Sequence, residues 1–96
     1  MKVSRKGLYA LAAMTMLARN YPGRIAKVHE IALAERIPEK FLELILLDLK
    51  KAGMIESRRG AQGGYRLKRS PSKIPLGEII RTVDGPLAPF ADGISP

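Results

Sequence analysis

Residues 57–69 read Ser57-Arg58-Arg59-Gly60-Ala61-Gln62-Gly63-Gly64-Tyr65-Arg66-Leu67-Lys68-Arg69 and hold five Lys or Arg and no acid. The chemistry that such a segment offers is the neutralisation of a polyanion, because guanidinium and ammonium groups donate to phosphate and base-edge oxygens. Gly60 and Gly63-Gly64 interrupt it where a hairpin tip needs backbone freedom at positive φ. The segment therefore reads as a basic hairpin. Just upstream, residues 38–52 have the apolar spacing of an amphipathic helix whose other side shows Glu39, Lys40, Glu43, Leu47, Lys50 and Lys51. Glu39, Lys40 and Glu43 would meet base edges if the first half of that helix lay in a major groove. On an isolated helix these charges would be an ordinary solvated face, but beside a basic hairpin they become candidates. The DNA-binding set is thus Glu39, Lys40, Glu43 and Lys50 on the helix, with Arg58, Arg59, Gln62, Arg66 and Lys68 on the hairpin.

Composition removes most other chemistry. The absence of cysteine excludes disulfides, cysteine-ligated zinc and a fully cysteine-ligated iron–sulfur cluster on these residues. His29 is the only histidine, and a single imidazole among apolar helix residues is an ordinary helix position rather than a metal ligand. No cofactor and no metal is assigned. With no phosphate-cradling G-x-x-x-x-G-K motif and no clear acid pair, no residue set supports an enzyme. A net charge of +8 and a pI near 10.2 favour nucleic acid or an anionic membrane surface. The apolar run at residues 8–18 is interrupted by Thr15 and falls well short of the roughly 20 residues that a membrane span needs, so no membrane partner is expected. Tyr9, Tyr21, Phe41, Tyr65 and Phe90 are too scattered for a single-strand stacking platform, which leaves the duplex as the expected target.

The elements that must position these residues follow from caps and periodicity. Ser4 is an N-cap for a first helix running through Leu17 and stopped by Asn20 and Pro22-Gly23, with Leu8, Tyr9, Leu11, Met14, Met16 and Leu17 leaving almost no polar face. Residues 24–26 suit a short extended piece. Val28, Ile31 and Ala32 then recur at helical spacing through about Glu35, although Lys27 is a poor cap. Arg36-Ile37 turns the chain into Pro38, whose fixed φ suits the first helical position. In the third helix Leu42, Ile45, Leu46 and Leu49 form the buried face and Gly53 takes the C′ position. Leu44 and Leu47 cannot both fit that core, and one of them is expected on a partner surface. Residues 54–58 and 65–68 make the hairpin arms, and Ser70-Pro71-Ser72 ends the second. In a fourth helix Leu76, Ile79, Ile80 and Val83 face inward, and Gly85-Pro86 closes it. The fold class is mainly α, a winged helix-turn-helix with a two-stranded β wing and a fourth helix. Residues 1–86 form the DNA-binding domain. Residues 87–96 read as a linker or as the start of a C-terminal sensing and dimerisation segment.

Ser4-Arg5-Lys6-Gly7-Leu8-Tyr9-Ala10, residues 37–43, Leu49-Lys50-Lys51-Ala52-Gly53 and above all Arg58-Arg59-Gly60-Ala61-Gln62-Gly63-Gly64-Tyr65-Arg66-Leu67 resemble the Rrf-two family of bacterial transcription regulators. The likeness runs from the first residue to about Leu87. It implies a cytoplasmic, homodimeric regulator of double-stranded DNA, with the third helix in the major groove and the wing in the minor groove. By position, Glu43 matches a helix acid and Arg59 a wing arginine that the family uses on DNA. A Lys is not the usual residue at the position of Lys40, so the operator is not readable from the family. Repression is the sense carried over from the family, although no residue separates it from activation, and the resemblance leaves room for an effector of unknown chemistry. Sensing members carry three cysteines after the fourth helix; Pro89-Phe90-Ala91-Asp92-Gly93 begins that loop here without one. Cluster sensing is therefore not carried over. Dimerisation is expected through a further helix beyond Pro96 or, failing that, through spare apolar surface at Met14, Met16 and Leu17. The alternative function is a winged-helix module that binds a protein through Leu44 and Leu47, which would be nearly indifferent to salt where a duplex binder is not.

Overall fold

The computed structural model of the chain describes residues 3–85. Four helices, α1 (Arg5–Asn20), α2 (Val28–Glu35), α3 (Glu39–Lys51) and α4 (Leu76–Asp84), surround one core, and strands β1 (Ile55–Arg58) and β2 (Gly64–Leu67) form an antiparallel hairpin between α3 and α4. The expected architecture is present, with the wing where the basic segment lies. The expectations for residues 87–96 fall outside the described residues.

The helix boundaries have local causes. The Ser4 hydroxyl accepts from the Gly7 N–H at 2.9 Å and donates to the Asp84 carboxylate at 2.6 Å, so the α1 cap is also a tie to the last turn of α4. Asp84 thereby sits beside the positive end of the α1 dipole, a favourable place for an acid. At Gly7 an added Cβ would lie 2.8 Å from Val3 and 3.2 Å from Ile80, so this crossing depends on the missing side chain. Lys27 caps α2 without a side-chain bond; instead the Glu30 carboxylate reaches back to the Lys27 N–H at 3.4 Å. Arg36 ends α2 at φ 55°, the left-handed conformation that turns the chain towards α3. Pro38 stands one position earlier than expected: it is the N-cap, its carbonyl accepts from Leu42, and Glu39 is the first helical residue. Gly53, at φ 77°, follows α3 as expected.

Leu17, Ile31, Leu42, Ile45, Leu46, Leu49, Met54, Ile55 and Ile80 are sealed from solvent and make the core. Burial of such side chains, each contributing about 1.5–3 kcal/mol, outweighs any other term in holding α1, α3 and α4 together. Two expectations need correction. Leu76 is not sealed in the core but is 64% exposed, at the first residue of α4 and at the rim of an open apolar cavity that it lines with Leu11 and Met14 of α1. Met14 and Leu17 offer no spare surface, since both are buried where α1 meets α2, α3, α4 and β2. The second hairpin arm ends in a single 3₁₀ turn, Pro71–Lys73, in place of a plain loop.

Candidate nucleic-acid interface

The wing is anchored before it is charged. The register pairs Ile55 with Leu67, Glu56 with Arg66, Ser57 with Tyr65 and Arg58 with Gly64, leaving residues 59–63 as the tip. The extended piece at Ala26 adds a third edge: Ala26 and Tyr65 exchange backbone bonds of 2.9 and 2.7 Å. Glycine is required at two adjacent positions, the last of the tip and the first of β2. A Cβ on Gly63 would fall 2.1 Å from the Arg58 carbonyl oxygen, and one on Gly64, at φ 152°, would fall 2.5 Å from that of Ala26. The Gly63 N–H closes the turn on the Gly60 carbonyl at 2.9 Å, and the Lys27 ammonium donates to the Ala61 carbonyl at 2.6 Å.

The five cations of the basic segment separate into two kinds. Arg66 donates from Nε to Glu56 across the strands at 2.7 Å. Arg69 gathers the Gly53 and Lys73 carbonyls at 3.4 Å and the Glu78 carboxylate at 2.9 Å, joining the wing base to α3 and α4. Arg58, Arg59 and Lys68 are exposed and form no salt bridge among the described residues. Gln62 is exposed at the tip beside them.

On α3 the core face of Leu42, Ile45, Leu46 and Leu49 fixes the outward face. Half a turn away lie Lys40, Leu44, Leu47 and Lys51, at i, i+4, i+7 and i+11. One flank carries Glu39, Glu43 and Lys50, all exposed. The other is closed by α1: Lys6 donates to Asp48 at 3.0 Å, and Tyr9 meets Phe41 edge-on at 5.5 Å. Glu39 is engaged locally, its Oε1 3.2 Å from Nδ1 of His29, while Lys40, Glu43 and Lys50 have no side-chain partner among the described residues. The structure thus brings the predicted set to two protruding elements, with Arg66 and Glu39 in intramolecular contacts. Lys51, on the outward side by its sequence spacing but outside the predicted set, is exposed there in line with Lys40. Lys27 could not have been found, since its contact with the tip spans 34 residues of sequence.

Among the described residues no catalytic arrangement competes with this surface. An apolar cavity of about 160 Å³ opens between α1, the end of β2 and α4, lined by residues such as Leu11, Met14, Ile74, Leu76 and Ile79. Thr15, the hydroxyl in its wall, donates to the Leu11 carbonyl at 2.7 Å. Among the described residues no helix is long and apolar enough to cross a membrane.

A helix-turn-helix whose second helix is followed by an anchored basic hairpin defines a winged helix-turn-helix protein. The comparisons with known proteins narrow the class. A family model described as Rrf2, iron-dependent transcriptional regulator, matches residues 3–95. A putative HTH-type regulator of Rhodobacter capsulatus described as rrf2-like is 43% identical over 92 residues, covering 92% of this chain and 61% of its own. Among solved structures, CymR of B. subtilis superposes with a TM-score of 0.85 at 38% identity, covering 91% of this chain and 67% of that one. IscR of T. potens gives 0.82 at 42%, covering 91% and 64%. The chain belongs to the Rrf2 family of HTH-type transcriptional regulators. It spans about three fifths of the length of the curated relatives it matches, 61% of the first and 57% of the next.

The family description names iron, and the residues here do not fit an iron centre. The 96 residues contain no thiol, and among the described residues no three His, Cys, Asp or Glu side chains gather where a metal could be held. No step is assigned to iron.

Proposed function

We propose that this chain is a sequence-specific double-stranded-DNA-binding domain, with α3 in the major groove and the wing tip in the minor groove. The observation that supports it most is the separation of cations: among the described residues Arg58, Arg59 and Lys68 on the wing and Lys40, Lys50 and Lys51 on α3 have no acidic partner, while Arg66 and Arg69 of the same wing are paired. Glu43 would accept from cytosine N4, and Arg59 would enter the negative potential of a narrow minor groove. Lys50, Arg58, Gln62, Lys68 and the outer nitrogens of Arg66 would hold phosphates, and Glu39 would border the base edges. The protein acts in the cytoplasm as a homodimer that occludes its site as a repressor, because one helix and one wing cover only a few base pairs and a two-fold partner doubles the site. An effector would act by altering that pairing.

Selection of duplexes from a random pool, followed by a salt titration on the winner, tests the reading. The six cations on the wing and α3 give a slope of log K against log salt of at most about −5 for each protomer bound, and about twice that for the dimer. A slope near zero would favour docking on a protein instead. Light scattering over a concentration series reads the dimer directly: a monomer throughout, in the presence of its duplex, would remove the two-fold model.

A further inference from the structure

The centre of the outward face of α3 is not charged. Leu44 is 59% and Leu47 45% exposed, side by side between Lys40 and Lys51. Both lie opposite the core stripe, so neither is a core residue pushed out by crowding. Solitary exposed leucines need no explanation, but an adjacent pair at the middle of the helix that faces the groove does.

We propose that Leu44, supported by Leu47, is a specificity-determining residue that reads the 5-methyl group of thymine. This rests on α3 occupying the major groove. There the thymine methyl is the one aliphatic group on any base edge, and a leucine that can neither donate nor accept has no other productive contact. Set against the polar edge of a G·C pair, the same side chain would strip water from N7, O6 or N4 and give nothing back. The leucine therefore favours thymine and penalises its replacements at once. The surroundings select a nucleic acid over a protein as occupant. Lys40 and Lys51 bracket the pair and Lys50 flanks it, whereas the core of a protein interface is depleted of lysine and buries about 800 Å² per partner. Two leucines between lysines cannot provide such a core.

Deoxyuridine substitution isolates the methyl, since it leaves pairing and every hydrogen-bonding group of the base in place. Each thymine of the selected duplex is replaced in turn and the affinities of wild type, Leu44→Ala and Leu47→Ala are measured. Wild type is expected to lose about fourfold at one or two thymines per half-site, the weight of one buried methyl. Leu44→Ala, an exposed substitution that leaves melting unchanged, is expected to show no thymine–deoxyuridine difference at the main position and to keep its salt slope. If wild type is indifferent to deoxyuridine everywhere yet binds with a steep salt slope, the inference falls and the DNA-binding reading stands. Discrimination that persists in both alanine variants, or a change in their light-scattering mass without a change in discrimination, also overturns it. Weak, salt-indifferent binding to every duplex overturns both.

Discussion

At the base of the wing, Arg66 and Arg69 are held by Glu56 and Glu78 and serve the fold; at the far end of β1 and in the tip, Arg58 and Arg59 meet no acid among the described residues and face solvent. The same residue type is thus held in two different ways within one short segment. What separates them is the chain around them. Glu56 lies directly opposite Arg66 in the register, and Glu78 is delivered by α4, whereas residues 59–63 of the tip include no acid. A count of basic residues measures the attraction for a polyanion, but the acids of the fold decide which cations are left to act on it. A cation already neutralised in the fold releases fewer counterions from DNA than a free one.

The largest effect is expected at the seam between the two regions. Gly64→Ala forces a Cβ against the Ala26 carbonyl at a φ that side chains rarely adopt, and should cost about 2–4 kcal/mol of stability by denaturant unfolding, with the Ala26–Tyr65 amides losing exchange protection. Wild-type stability in that variant would mean that the wing is not anchored as described. Arg69→Ala should cost about 1–3 kcal/mol of stability, because it leaves Glu78 and two carbonyls without their donor. Arg59→Ala should do the reverse, leaving melting within about 0.5 kcal/mol of wild type while specific binding weakens by about 1–3 kcal/mol. If these two variants behaved alike, the division of the wing into base and tip would fail. Lys68→Ala sharpens the comparison by the smallest amount: affinity should fall evenly on operator and scrambled DNA, with a salt slope shallower by about 1.

Most of the fold was legible because its signals are local. Ser4, Gly53 and the leucine and isoleucine spacing of α3 act within one or two turns of helix, and all three read correctly. Misreadings arose where tertiary contact decides. Leu76 continues the apolar period of α4, but the period does not say that the space it faces is an open cavity rather than a filled core. Met14 and Leu17 looked surplus because the number of elements packed on α1 is not a property of α1. For the candidate site, the segment was legible and the sorting within it was not: Arg58 and Arg66 are indistinguishable in sequence until the strand register places Glu56 beside one of them. Lys27 illustrates the limit, an exposed lysine at an unpromising cap that bonds the far tip of the wing.

That contact has a consequence for what the protein can be asked to read. Lys27 begins α2, α2 packs on α3, and the wing is pinned to the same point by the two Ala26–Tyr65 bonds and the lysine itself. The helix and the tip are therefore the jaws of a calliper with a set opening, not two probes on a loose string. If α3 and the tip dock on the duplex as proposed, one base pair inserted between their contacts displaces one of them by about 3.4 Å along the strand, more than a hydrogen bond tolerates. The interval between bases would then be part of the message, and a site with every correct base at the wrong interval would be, to this protein, a different word.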